Sequence, residues 1–192
     1  MSLFRGPVLA IADRPFVERF VRGNRVMGKL VERFVAGEDL ETALDVMRPM
    51  IDQGIRLTLD ELGENVSTEA EASAAVASYT HILRRMAERR IEPNISIKLT
   101  MLGLDLGDDV TRANVLPILE TARDVDGFVR IDMEGSAYTE RTMRIFEEFH
   151  DQFPDQVGIV IQTMLLRAEG DVERMTARQA RVRLVKGAYA EP

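Results

Sequence analysis

Lys98, within the stretch "IEPNISIKLTMLGLD", points away from the apolar side of its strand. Ile95, Ile97 and Leu99 share one face at the two-residue period of a strand, while Asn94, Ser96, Lys98 and Thr100 share the other. The arrangement recurs. Arg56, Thr58 and Asp60 oppose Ile55, Leu57 and Leu59, and Arg130, Asp132 and Glu134 oppose Val129, Ile131 and Met133. A fourth apolar run ends in Gln162, and a fifth carries Arg181, Arg183 and Lys186. Burying an isolated charge is costly, so such a set must be mutually paired, wet or occupied by a ligand. One strand of this kind is an ordinary solvated face. Four or five, with their charges toward the same end, point to a site. A lysine at a strand end also suits Schiff-base chemistry, so spacing locates the site without choosing its reaction.

Composition narrows the chemistry. The 192 residues contain no cysteine, which removes a disulfide framework, a thiolate nucleophile and a thiolate metal site. His81 and His150 each stand alone in a helical pattern and are expected as surface or half-buried helix residues, so no metal site is expected. Net charge is −7 with basic and acidic residues interspersed, a poor match to nucleic acid and a better one to small molecules or proteins. No signal peptide opens the chain and no apolar run reaches membrane-spanning length, so a cytoplasmic location is the expectation.

The elements that must position these residues are legible in outline. Residues 1–54 read as an N-terminal helical segment: "RPFVERFVRGNRVMGKLVERFVAG" spaces its apolar residues at helical intervals, and "EDLETALDVMRPMIDQG" is a second helix closed by Gly54. Residues 55–192 alternate. The strands "IRLTLDEL", "NISIKLT", "GFVRIDME", "VGIVIQTML" and "RVRLVKGA" are separated by four helical stretches, the first capped at Ser67 with Glu69 and Glu71 in its opening turns. Strict alternation predicts an α/β protein with a parallel sheet, either an open doubly wound sheet or part of a (βα)8 barrel. The first strand runs into "DELGEN" rather than a glycine-rich fingerprint, which weighs against a dinucleotide-binding unit.

"SIKLTMLGLD", "VRIDMEGSAYTE", "VGIVIQTMLLR" and "VRLVKGAYAEP" resemble, in order and spacing, the motifs of proline dehydrogenase, and "RFVAGEDLETAL" and "LTLDELGENV" resemble that family's earlier segments. The resemblance implies a distorted (βα)8 TIM-type barrel preceded by helices. It implies oxidation of L-proline to Δ1-pyrroline-5-carboxylate by hydride transfer to FAD, the first step of proline catabolism. A quinone is then the electron acceptor, with peripheral contact at the inner face of the plasma membrane, and an oligomer is compatible with it.

By resemblance, Lys98 neutralises the proline carboxylate, and Asp132 lies among cations near flavin and substrate. Gln162 hydrogen-bonds the flavin ring. Arg183 places a fixed charge near the flavin N5 region, favouring its electron-rich reduced form. Lys186 contacts the cofactor, Tyr189 packs on the proline ring, and Glu64 in "LGEN" acts as a gate. Asp132 has a plainer reading as the ion-pair partner that keeps Lys98 or an arginine in position.

There are departures: Thr163 and Met164 replace an Ala-Tyr pair common in relatives, and Gly135 replaces an aspartate. The chain also stops after a fifth strand, where the family continues through three more strands and a helix with a Tyr-x-x-Arg-Arg motif. From this we expect a truncated product that alone binds FAD poorly and turns over no proline. Two other readings stay open: a non-catalytic barrel fragment that pairs with a complementary chain, and a Schiff-base lyase using Lys98.

Overall fold

The computed structural model describes residues 35–63 and 65–187. Of the first expected helix, residues 14–37, only 35–37 are described and these are not helical; the rest falls outside the described residues, as do Glu64 and Tyr189. The chain divides between Ile55 and Arg56 into two compact units. In the first, helix α1 (Leu40–Asp52) begins on Asp39, whose carboxylate accepts from the Thr42 N–H at 2.9 Å. It buries Ala43, Leu44 and Met47 at helical spacing, and Gly54, at φ +81°, ends the segment in the left-handed region.

The second unit alternates β1 (Leu59–Asp60), α2 (Glu69–Glu88), β2 (Asn94–Ile97), α3 (Asp108–Asp124), β3 (Phe128–Ile131), α4 (Ser136–His150), β4 (Val157–Gln162), α5 (Ala168–Ala177) and β5 (Arg181–Val185). All five strands are parallel and lie in the order β1-β2-β3-β4-β5. A doubly wound sheet reverses its order at a switch point. Here the order never reverses, and right-handed crossovers all made in one direction put every helix on the same face. That settles the choice between open sheet and barrel wall in favour of the wall.

Packing follows. Ile95, Ile97, Val129, Ile131, Val157, Ile159 and Ile161 face the helices and are at most 2% exposed. Leu83 and Met86 of α2, Ile118 and Leu119 of α3, Phe146 of α4 and Met175 of α5 bury against them. Arginine–carboxylate pairs tie successive helices on the outside. Asp108 at the start of α3 bonds Arg141 at 2.6 Å and Arg144 at 2.5 Å from α4, and Arg174 of α5 bonds Glu147 of α4 at 2.6 Å.

Several boundaries differ from expectation. The first strand is two residues rather than eight: only Leu59 and Asp60 pair with β2, opposite Ile95 and Ser96. Arg56, placed by parity on the inner face, is instead exposed and paired to Glu92 at 2.9 Å. The cap of α2 is Thr68 rather than Ser67. Thr68 and Glu71 form a reciprocal capping box, and the Ser67 N–H and hydroxyl bond the same Glu71 carboxylate at 2.8 and 3.0 Å. His81 is exposed, whereas His150 is buried against Phe146 with ring centroids 5.3 Å apart.

Candidate active site

Parallel register converts strand parity into a shared inner face. Asp60 lies level with Ser96 and Arg130, and Val160 with Arg183. One layer further along, Lys98 and Asp132 follow the ends of β2 and β3. Their side chains meet. The Lys98 ammonium donates to both oxygens of Asp60 at 3.0 Å and lies 4.0 Å from the Asp132 carboxylate. Asp132 is bonded by the Arg183 guanidinium and by the Ser96 hydroxyl, the latter at 3.3 Å. The result is a chain of alternating sign running Asp60, Lys98, Asp132, Arg183 across four strands. It is net neutral, which is what limits the cost of placing charge in a half-buried interior.

Burial pushes the Asp132 carboxyl above its ordinary range, against the pull of Arg183 and Lys98. Burial, with Arg183 nearby, lowers Arg130. Beneath the charged layer, at the amino ends of the strands, the guanidiniums of Arg130 and Arg181 both pack over the Phe128 ring, each 5.0 Å from its centroid. These two arginines therefore belong to the floor and not to the carboxyl end where the sequence pattern put the charges. Gly158 makes the floor possible, since a Cβ there would stand 2.6 Å from the Phe128 ring and 2.7 Å from the Arg181 carbonyl.

Above the layer, two buried side chains join the strand ends. The Gln162 amide donates to the carbonyls of Met133 at 2.7 Å and Glu134 at 3.3 Å, which fixes its orientation. Its own carbonyl oxygen is buried and has no partner, and neither has the buried Nε of Arg183. Native structures rarely leave such groups unpaired. One free acceptor and one free donor, both lining the inner face, fit the edge of an isoalloxazine, which presents ring N–H and C=O groups side by side. Glu134 accepts from the Thr100 N–H at 3.1 Å and from its hydroxyl.

The structure thus brings Lys98, Asp132 and Arg183 into one array, with Gln162 at its rim. Lys186, one residue past β5, is exposed and falls on the parity opposite to Arg183. Glu64 and Tyr189 lie outside the described residues. Asp60, Ser96, Thr100 and Glu134 were not singled out from the sequence as site residues. Parity alone marked the face all four share; what hid them was the absence of any signal for which polar residue would find which partner. Among the described residues no group of histidine, aspartate or glutamate side chains could hold a metal ion, and no helix is long and apolar enough to cross a membrane.

A singly wound parallel sheet, with helices on one face and a charged cluster at the carboxyl ends of the other, defines a (βα)8-barrel type of enzyme scaffold with its site at the usual end. The chain belongs to the proline dehydrogenase family: a sequence model of that family matches residues 43–192. It is 35% identical over 159 residues to proline dehydrogenase 1 of Bacillus subtilis strain 168, covering 83% of this chain and 52% of the relative. It is 34% identical over 195 residues to the proline dehydrogenase of Deinococcus radiodurans, covering 100% of this chain and 62% of the relative. The chain therefore spans about half to three fifths of these relatives. In fold it is similar to proline utilization A from Bdellovibrio bacteriovorus inactivated by N-propargylglycine, with a TM-score of 0.76 and 24% identity over 85% of this chain and 20% of that one. Family membership weighs against the lyase reading.

Proposed function

We propose that this chain carries the proline-oxidising site of an FAD-dependent proline dehydrogenase. The observation that carries the reading is the neutral Asp60–Lys98–Asp132–Arg183 array with the unpartnered Gln162 carbonyl at its edge, in a chain of this family. Lys98 would bind the substrate carboxylate, exchanging part of its bond to Asp60 for a second anion. Asp132 holds Lys98 and Arg183 in register. Gln162 and Arg183 would hold the flavin ring through the carbonyl and the Nε that nothing else uses. Bound FAD supplies the two-electron acceptor for the hydride leaving the carbon beside nitrogen. The amine gives up its proton, and a C=N bond forms. Lys186, Tyr189 and Glu64 complete the set by resemblance, the whole lying within residues 55–192. A quinone acceptor and peripheral membrane contact belong to the same proposal.

The test is to mix the purified chain with FAD, remove free flavin, and add L-proline without oxygen. A retained flavin spectrum that bleaches on proline addition, and is lost with N-propargylglycine, supports the reading and overturns the expectation that the chain alone binds FAD poorly and turns over no proline. Retained flavin that does not respond to proline refutes proline as the substrate.

A further inference from the structure

We infer that Glu134 is a positioning residue. Through Thr100 it couples the loop after β1 to the end of β2, and through its own backbone it couples β3 to Gln162. The inference rests on the functional reading above for its consequences, but not for its geometry. Glu134 is 4% exposed, and both its oxygens meet Thr100: one takes the backbone N–H at 3.1 Å, the other the hydroxyl.

Thr100 opens the single helical turn Thr100–Leu102, two residues beyond Lys98. The N–H groups at the start of such a turn have no intrahelical acceptor, so the Glu134 carboxylate acts as their cap from another strand. That turn closes back on the Lys98 segment, the Met101 N–H donating to the Lys98 carbonyl at 3.2 Å and the Leu102 N–H to the Leu99 carbonyl at 3.0 Å. Moving Thr100 therefore moves the backbone from which the Lys98 side chain leaves.

The same threonine receives the preceding loop. The Asn65 N–H donates to its hydroxyl oxygen at 3.3 Å, and the Val66 N–H to its carbonyl at 3.3 Å. Asn65 has φ +45°, an unfavourable backbone that a fixed hydrogen bond can sustain. Glu134 thus passes a hydrogen-bonded path through Thr100, by its hydroxyl to the Asn65 N–H and by its backbone to the Val66 N–H. On its other side the Glu134 carbonyl takes the Gln162 amide, which aims the free Gln162 oxygen. The carboxylate lies where the loop after β1 and the ends of β2, β3 and β4 meet, between the group proposed for substrate and the group proposed for flavin.

Hydrogen–deuterium exchange on the full chain without ligand tests the coupling directly. Glu134→Gln and Thr100→Val conserve volume and should both fold; Glu134→Ala is the stronger version. Residues 65–66 and 98–104 should lose protection together in Glu134→Gln, although Glu134 is far from both in sequence. Thr100→Val should release residue 65 while leaving residues 66 and 98–104 closer to wild type, because its carbonyl still takes the Val66 N–H and its backbone N–H still reaches the carboxylate. Unchanged exchange at 65–66 in folded Glu134→Gln overturns the inference whether or not the chain binds flavin. If proline is oxidised, kcat/KM per bound flavin should fall on the order of 10-fold in Glu134→Gln. A purely structural role would lower Tm and leave kcat/KM per flavin, measured well below Tm, unmoved.

Discussion

Gly158→Ala is the most exacting test of the barrel floor. Gly158 sits on the inner face of β4, level with Arg130 and Arg181. An added Cβ would stand 2.6 and 3.3 Å from two atoms of the Phe128 ring and 2.7 Å from the Arg181 carbonyl oxygen. The ring can rotate, at the expense of its two guanidinium contacts. The carbonyl cannot, because it belongs to the neighbouring parallel strand. Overpacking against an immobile group costs about 2–3 kcal/mol, which at this chain length lowers Tm by about 4–12 °C. Circular dichroism melts and urea midpoints at unchanged slope would measure it.

Adding Phe128→Leu should recover part of the loss, so the double variant should be less destabilised than the sum of the two single changes. The carbonyl clash should keep the recovery incomplete. A melting temperature within about 1 °C of wild type, or simple additivity with Phe128→Leu, would refute the close approach of ring and strand. Because Arg130 and Arg181 lie directly under Asp132 and Arg183, a displaced ring should also disturb flavin retention.

Lys98→Met should weaken proline binding by roughly 10- to 100-fold through KM, the worth of one charge-assisted contact, with flavin retention little changed; equal loss of both would place Lys98 elsewhere in the mechanism. Acid sensitivity should have one source in the helix ring. Hydrogen bonds from Arg141, and then from Arg144, hold the Asp108 carboxyl below its ordinary 3.8, and Arg112 does the same for Glu148 below 4.5. With the folded value depressed, the unfolded chain binds the proton more tightly. The stabilisation is complete above the ordinary values and is lost as pH falls through the depressed ones. Urea midpoints between about pH 5 and pH 2 should therefore fall less steeply in Asp108→Asn, and an unchanged slope would exclude the Asp108 pairs as its origin.

Much of the architecture was written in local periodicity. Alternating runs such as "NISIKLT" and "GFVRIDME" have one apolar face, and a strand with one apolar face must bury it under helices. Gly54, the acidic first turn of α2 and the unbroken β-α succession likewise act over a few residues, and short-range signals survive in a sequence. The extent of β1 was not legible, because a strand's length depends on its neighbour. Only Leu59 and Asp60 come into register with partners, Ile95 and Ser96, far along the chain. Ser67 and Thr68 are equally good caps on paper, and only the backbone geometry chooses Thr68.

By itself, then, the sequence determined the parallel α/β class, the inner polar face and the presence on it of Lys98, Asp132, Gln162 and Arg183. Tertiary structure alone decided the unreversed strand order that makes a barrel wall. It also decided that Arg130 and Arg181 descend to the floor around Phe128, and that Asp60 and Glu134 are the partners of Lys98 and Thr100. The physical reason is the same throughout. Parity assigns a side chain to a face, but a hydrogen bond is specified within tenths of an ångström, and that precision exists only once register has brought strands 34 to 87 residues apart into line.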